Sequence, residues 1–222
     1  MTQFEATQKK YEANILPRWG SLASIKRLVG KNKTVLDVGC ASGYLGELLM
    51  KEGNIVYGID GNKEAIEIAR KHYKEAVYFD LNDTDPNRLE SLFDGVTFDS
   101  IVFADVLEHL LDPETVLRNF GKLLKPNGKV IISLPNVALW RVRLNLLFGQ
   151  FNYTDYGVLD RTHLHLYTFK TGKELTQNSG LRVLSEQGAL NFFPFGILIQ
   201  FLPFLRKILG IHIIIEAKKN AE

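Results

Sequence analysis

Two aspartates stand at the ends of two neighbouring apolar runs, with a turn of small residues between the runs. Asp37 lies in the run TVLDV, and Asp60 ends the run IVYGID. Gly39 and Gly43 belong to the turn, where small residues let the backbone approach a ligand closely and the next helix offers free N–H groups. An acid at the tip of the second run can accept hydrogen bonds from both hydroxyls of a ribose. The pattern therefore predicts a site for a nucleoside cofactor.

The negative charge of Asp37 favours one of the two classes of nucleoside cofactor that suit such a turn. A dinucleotide carries a pyrophosphate, which an acid two residues before Gly39 would repel, whereas a sulfonium cofactor with an α-amino group would be attracted. The dinucleotide fingerprint G-x-G-x-x-G also has its second glycine at position 41, where this chain has Ala41. We therefore expect S-adenosylmethionine, and an NAD-dependent enzyme is the alternative.

Histidines later in the chain have the chemistry to take a proton from an acceptor. His109 follows Glu108 after the fourth apolar run, at the edge of the sheet where ligands of α/β folds bind. His163 lies in the run DRTHLHLYT. Because imidazole accepts a proton near neutral pH, we predict His109 and His163 as catalytic bases. The alternatives are a His109 satisfied by the backbone and an ordered, purely structural loop around His163.

The same run contains a pattern that is also seen in metal sites. Asp160, His163 and His165 form D-x-x-H-x-H. No fourth ligand is apparent, and the two histidines share a face only in an extended chain, so we predict no metal.

A role in binding the acceptor suits His163 better, with Asp160 or Tyr167 orienting its ring. An arginine in this region would hold an anionic acceptor, although a solvated helix charge explains it equally well. The predicted acceptor-binding residues are Arg141, Tyr153, Asp160, His163 and Tyr167.

Apolar strand runs alternate with amphipathic helical runs along the chain, which is typical of a parallel α/β sheet. Asp85-Pro86 and Asp112-Pro113 predict helix starts, and Thr171 with Glu174 predicts a capping box. Helices are also predicted near the N-terminus, over 4–13 and 20–29. The predicted strands are 34–38, 55–59, 77–79, 98–103, 129–134, 181–187 and 211–217.

Four segments in this order resemble the motifs of class I S-adenosylmethionine-dependent methyltransferases. They are LDVGCASGYLGELL, YGIDGNKEAIEIAR, YFDLND and FDSIVFADVLEHLLDPETVLRNFGKLLKPNGKVIISLPN. The resemblance implies a Rossmann-like, seven-stranded, mostly parallel sheet with helices on both faces and an antiparallel last strand. It also implies cofactor contacts from Asp37, Gly39, Ala41, Gly43, Asp60, Asp80, Leu81, Ala104, Asp105 and Val106.

A further segment, SLPNVALWRVRLNLLFGQFNYTDYGVLDRTHLHLYTFKTGKEL, resembles a subgroup that includes the MetW proteins and methyltransferases encoded among glycan genes. The ubiquinone-biosynthesis O-methyltransferases look like more distant relatives. This resemblance implies methyl transfer to a small molecule or a sugar, with a hydroxyl as the expected acceptor. A non-catalytic partner protein of a biosynthetic enzyme is the alternative within the subgroup.

Composition narrows the remaining possibilities. The 222 residues carry a formal net charge of +2, which disfavours a nucleic-acid binder, and the single cysteine fits a cytoplasmic protein. We expect one domain over 1–222: N-terminal helices to residue 30, a cofactor-binding core over 31–135, and acceptor-side insertions at 136–170 and 190–209. The apolar run 192–215 is expected to be core, the face of a homodimer or a contact with a membrane surface.

Overall fold

A computed structural model describes residues 20–83, 85–190 and 203–220, and seven strands of these residues form one sheet. The strands are β1 (Thr34–Val38), β2 (Ile55–Asp60), β3 (Glu75–Tyr78), β4 (Phe98–Ala104), β5 (Leu124–Pro135), β6 (Leu181–Ala189) and β7 (His212–Lys219). Their order across the sheet is β3-β2-β1-β4-β5-β7-β6. Strands β1 to β5 run parallel, and β7 is antiparallel to both of its neighbours. The predicted fold is therefore confirmed.

Helices lie along both faces of this sheet. They are α1 (Ser21–Val29), α2 (Tyr44–Met50), α3 (Lys63–Ala69), α4 (Pro86–Ser91), α5 (Pro113–Lys122), α6 (Trp140–Leu147), α7 (Phe169–Asn178) and α8 (Pro203–Leu209), with a 3-10 turn at Leu107–His109. The two predicted Asp-Pro starts are confirmed. Asp85 and Asp112 cap α4 and α5 with side-chain oxygens that accept backbone hydrogen bonds, and a proline follows each of them.

The core has two layers because successive side chains of a strand point to opposite faces. In β1, Val35 packs in the layer that contains α1 and α2, while Leu36 and Val38 pack in the layer on the other face. Asp37 has the same parity as Val35. Its carboxyl group therefore enters the sheet face that α2 and α3 cover, which decides the partner it meets.

The structure differs from the sequence analysis in local details. The capping box of α7 consists of Thr168 and Thr171 rather than Thr171 and Glu174, because the helix begins one turn earlier than predicted. Strand β5 begins at Leu124, before the predicted start at residue 129, and its pairing with β4 shifts between Phe98 and Ser100. The segment 136–170, expected to be an acceptor-side insertion, contains α6.

Part of the apolar run 192–215 can be followed. Ile213, Ile214 and Ile215 lie in β7 and are fully buried, so this part of the run is core. Residues 191–202 lie outside the described residues, as does the predicted helix over 4–13. The homodimer face and the membrane contact therefore stay predictions. In the ranges that the structure covers, no helix is both long enough and apolar enough to cross a lipid bilayer.

The strand order reverses at β1, which has β2 on one side and β4 on the other. In parallel α/β sheets a crevice opens outside the carboxyl ends of the strands at such a point. The residues that follow β1, β2 and β4 are therefore neighbours in space, although they are far apart in the chain.

Candidate active site

The turn after β1 is held against the end of β2 by backbone hydrogen bonds. The N–H groups of Gly39 and Cys40 donate to the carbonyl of Ile59 at 2.8 and 3.0 Å. Gly39 and Gly43 have φ of 71° and 94°, which glycine adopts without strain. Ala41 has φ of 45°, so its methyl group costs about 1–2 kcal/mol of conformational free energy relative to right-handed backbone. Alanine in place of glycine at position 41 therefore has a cost in backbone conformation, in addition to the volume of its methyl group.

Asp60 closes the turn from the side of β2. One carboxylate oxygen accepts the N–H of Ala41 and the other accepts the N–H of Asn62, each at 2.8 Å. A carboxylate has about four lone-pair sites, so each oxygen keeps capacity for a further donor. The half-buried Asp60 thus shapes the turn and keeps lone pairs for two further donors.

Asp37 lies beneath the turn and is only 2% exposed. The hydroxyl of Tyr73 donates to its carboxylate at 2.7 Å, and the same hydroxyl accepts the N–H of Gly46 in α2 at 3.2 Å. Burial raises the pKa of Asp37 to about 7, the Tyr73 hydrogen bond opposes this shift, and the charge of Asp60 adds to it. Sequence reasoning missed Tyr73, because its position marks only the buried face of a helix.

Asp80 and Leu81 follow β3 with opposite exposure. Asp80 is exposed, and its carboxylate accepts the N–H of Asn82 at 3.0 Å, which shapes a tight turn. Leu81 is buried beside it. The side-chain oxygen of Asn82 accepts the N–H of Leu111 at 2.9 Å and ties this turn to the segment after β4.

The segment after β4 faces the glycine turn. A side chain at Gly39 would overlap the methyl groups of Val106, so the two segments touch. Next to Ala104, Asp105 has φ of 57° and accepts the hydroxyl of Ser133 at 2.7 Å. Its other carboxylate oxygen lies 3.3 Å from Nε2 of His212 in β7. Neither Ser133 nor His212 carries a local sequence signal, since each lies within an apolar strand run.

Three residues further on, a carboxyl group and two imidazoles come together. Glu108 is 1% exposed, and its Oε1 lies 4.0 Å from Nε2 of His163. The rings of His109 and His163 meet edge to face with 4.9 Å between their centroids. Burial raises the pKa of Glu108 well above its usual range, and the charges of Asp105 and Asp160 add to this against its own backbone N–H. Burial and the nearby His109 lower the pKa of His163.

The segment 158–165 is fastened to the 3-10 turn by hydrogen bonds. The carbonyl of Glu108 accepts the N–H groups of Leu164 and His165 at 2.8 and 3.1 Å. Nδ1 of His109 lies 3.2 Å from the carbonyl of Thr162, and Nδ1 of His163 lies 3.3 Å from that of Val158. The long excursion after β5 thus folds back onto the residues that follow β4.

The structure brings some predicted acceptor residues to this cluster and places others on the outside. Tyr167 is buried beside the ring of His165, at 6.1 Å between centroids. The carboxylate of Asp160 accepts the hydroxyl and the N–H of Thr162, and no described hydrogen bond joins it to the ring of His163. Arg141 and Tyr153 are exposed and contact Trp140 and Phe151. The cluster also includes Glu108, which the sequence patterns did not single out as a binding group.

Comparison with known proteins gives a consistent picture. A family model described as "Methyltransferase domain" matches residues 11–186. A ubiquinone biosynthesis O-methyltransferase from Coxiella burnetii is 34% identical over 174 residues, which cover 74% of this chain and 69% of that protein.

Solved structures have the same fold at low sequence identity. A possible histamine N-methyltransferase from Thermotoga maritima matches with a TM-score of 0.68 and 14% identity, covering 98% of this chain and 96% of that one. The magnesium protoporphyrin IX methyltransferase from Synechocystis, solved with bound SAH, matches with a TM-score of 0.61 and 16% identity over 90% and 82% of the two chains.

Proposed function

The chain belongs to the class I S-adenosylmethionine-dependent methyltransferases, and we propose that it methylates a hydroxyl group of a small-molecule or sugar acceptor. One observation supports this proposal above the others: the Glu108, His109 and His163 cluster lies directly beside the segment that touches the glycine turn. A group that can take a proton is therefore next to the place where a nucleoside fits. O-methylation requires both at once.

The glycine turn and its two aspartates fit the cofactor. Gly39 and Gly43 adopt the positive φ that a tight turn beneath a ligand requires, and Asp60 retains lone pairs for the ribose hydroxyls. Asp37 supplies negative charge below the turn for the cationic amino acid end. The remaining residues proposed to line the cofactor site are Ala41, Asp80, Leu81, Ala104, Asp105 and Val106.

The cofactor supplies a sulfonium methyl group for in-line displacement, which depends mainly on alignment with the acceptor oxygen. The chain's part is to orient the acceptor and to take its proton. A hydrogen bond from Nδ1–H of His163 to Val158 leaves Nε2 unprotonated, and the lowered pKa keeps the ring neutral at pH 7. His163 can therefore act as the base, with His109 as its neighbour.

The acceptor class follows from the relatives and from the segment after β5. The Coxiella relative is named as an O-methyltransferase of ubiquinone biosynthesis, which supports a hydroxyl on a small molecule. The likeness of residues 133–175 to the subgroup of MetW proteins and glycan-gene methyltransferases supports a sugar as the other possibility. Arg141, Tyr153, Asp160 and Tyr167 are proposed to shape the acceptor side of the crevice.

Parallel calorimetric titrations with S-adenosylmethionine and with NADH test the cofactor. We expect binding of S-adenosylmethionine only; binding of NADH alone would contradict the proposal.

Transfer of labelled methyl from S-adenosylmethionine to a panel of phenolic and sugar hydroxyls then tests the reaction. His163→Ala should abolish most turnover while cofactor affinity survives. Co-purification with a biosynthetic enzyme, together with no transfer to any acceptor, would favour the non-catalytic alternative.

A further inference from the structure

The carboxyl group of Glu108 is buried, and its Oε1 lies 4.0 Å from Nε2 of His163. It is 1% exposed, and among the residues that the structure describes neither oxygen has a hydrogen-bond partner in another residue. A buried polar group without a partner costs roughly 1–3 kcal/mol, and a charged one costs more. Buried side chains of this kind are rare in folded proteins and call for an explanation such as a bound ion.

A backbone carbonyl at Nδ1 orients the ring of each histidine beside Glu108. Each has its Nδ1 at 3.2–3.3 Å from a backbone carbonyl, of Thr162 for His109 and of Val158 for His163. A carbonyl only accepts, so these contacts keep the proton on Nδ1 and leave Nε2 with a lone pair. Metal-binding histidines almost always have such a hydrogen bond on the nitrogen that does not face the ion.

One ligand atom from each of the three residues can be chosen so that all three lie within 4.8 Å of one another. Small side-chain rotations bring such atoms to the distances of about 2.0–2.2 Å from a common ion that nitrogen and oxygen ligands require. We propose that Glu108, His109 and His163 bind a divalent first-row transition-metal ion of the Zn²⁺ or Co²⁺ type.

The ligand set determines the class of ion. Two imidazoles and one carboxylate suit zinc, cobalt, iron or manganese, whereas Mg²⁺ prefers oxygen ligands in octahedral geometry. Three protein ligands also leave positions open, as in catalytic rather than structural sites. The exposed ring of His109 gives the ion a route in from solvent.

This set differs from the D-x-x-H-x-H pattern in the sequence. Nε2 of His165 lies 3.0 Å from the carbonyl of Leu110, and Asp160 is engaged by Thr162. Only His163 of the three pattern residues belongs to the cluster. Glu108 and His109 come from the segment after β4. They lie beside His163 because the carbonyl of Glu108 accepts hydrogen bonds from the backbone of segment 158–165.

A bound ion would lower the pKa of an acceptor hydroxyl at its open position. It would then take over the role proposed above for His163 as the base, because both Nε2 atoms would be ligands of the ion. Only this consequence rests on the proposed methylation. The metal site itself is independent of the acceptor, and its test needs neither cofactor nor acceptor.

The test is a calorimetric titration of the tag-free, EDTA-treated full chain with ZnCl₂, with MgCl₂ as the comparison. We expect one Zn²⁺ ion per chain and no saturable binding of Mg²⁺. Titration with CoCl₂ should give the visible absorption of a cobalt ion with nitrogen ligands. Absence of zinc and cobalt binding by the folded wild-type chain would overturn the proposal.

Variants locate the ion. His163→Ala and Glu108→Gln should each weaken zinc binding by more than the roughly 10–100-fold that loss of an outer-shell partner costs. His72→Ala is the matched control, since His72 is an exposed histidine that pairs with Glu47 on the surface, and it should bind zinc like the wild type. Circular dichroism and thermal melting of the metal-free variants verify folding. Undiminished zinc binding by folded His163→Ala and Glu108→Gln together would show that the ion lies elsewhere.

Discussion

The carboxyl group of Asp37 has a pKa of about 7, because it is buried beneath the glycine turn and lies near a second acid, Asp60. The group that stabilises its charge is the hydroxyl of Tyr73, a neutral donor. A cationic ligand above the turn would favour the ionised form and release the proton. Cofactor binding and the protonation of Asp37 are therefore expected to be linked.

The first prediction concerns this linkage. Below about pH 7 the free chain holds a proton on Asp37 that binding of S-adenosylmethionine releases, so cofactor affinity should rise from about pH 5 to about pH 7 and then level off. The cofactor's amino group remains mostly protonated over that range, since α-amino groups have pKa values of about 8. Calorimetry in two buffers of different ionisation enthalpy measures the proton released.

Asp37→Asn is the control, because asparagine has nearly the same shape and cannot titrate. It should bind the cofactor more weakly and without proton release below pH 7. A variant that still releases a proton there would assign the linkage to a group other than Asp37.

Helix α2 approaches Tyr73 closely because its residue Gly46 has no Cβ atom. A Cβ atom at Gly46 would overlap the ring and hydroxyl of Tyr73, the same tyrosine that donates to Asp37. The close approach of α2 to Tyr73 therefore fixes both the start of the helix and the partner of the buried acid. The backbone N–H of Gly46 completes this arrangement by donating to the tyrosine hydroxyl.

The second prediction compares two helical glycines. Gly46→Ala should destabilise the chain by about 1–3 kcal/mol, because Tyr73 is buried and its ring must shift. Gly121→Ala in α5 is the matched control, since a Cβ atom there would lie 3.6 Å from Leu181 in ordinary contact. It should be neutral or stabilise by up to about 1 kcal/mol. Urea unfolding of both variants measures the difference, and equal effects would refute the steric explanation.

The candidate site is formed by residues from both halves of the sheet. Asp37 and Asp60 come from β1 and β2, Glu108 follows β4, and His212 begins β7. A ligand bound across the carboxyl ends of these strands would stabilise the native sheet as a unit. The increase in the free energy of unfolding that this ligand causes therefore measures whether the whole crevice is intact.

The third prediction is stabilisation by the cofactor. S-adenosylmethionine at a hundred times its dissociation constant should add about 2.7 kcal/mol to the free energy of unfolding. At the same concentration Asp60→Asn should lose at least about 1.4 kcal/mol of this gain, which corresponds to a tenfold loss of affinity. Glu67→Ala, an exposed acid paired with Arg70 on α3, should retain the full gain. If Asp60→Asn retains it as well, Asp60 does not bind the ribose.

The sequence by itself determined the order of strands and helices, the glycine turn and the acids at the strand ends. Each of these depends on neighbouring residues: on the period of apolar side chains, on Asp-Pro helix starts and on small residues at positive φ. Local signals failed at the start of α7, where Thr168 and Thr171 share the capping pattern that the sequence suggested for Thr171 and Glu174.

Only the tertiary structure decided which polar groups meet. The contacts between Tyr73 and Asp37, between His212 and Asp105, and between His163 and Glu108 join segments that are distant in the chain. Such pairs have no spacing rule, because the packing of helices on the sheet and the return of segment 158–165 bring them together. A buried carboxyl group such as that of Glu108 can be recognised only when the position of every neighbouring hydrogen-bond donor is known.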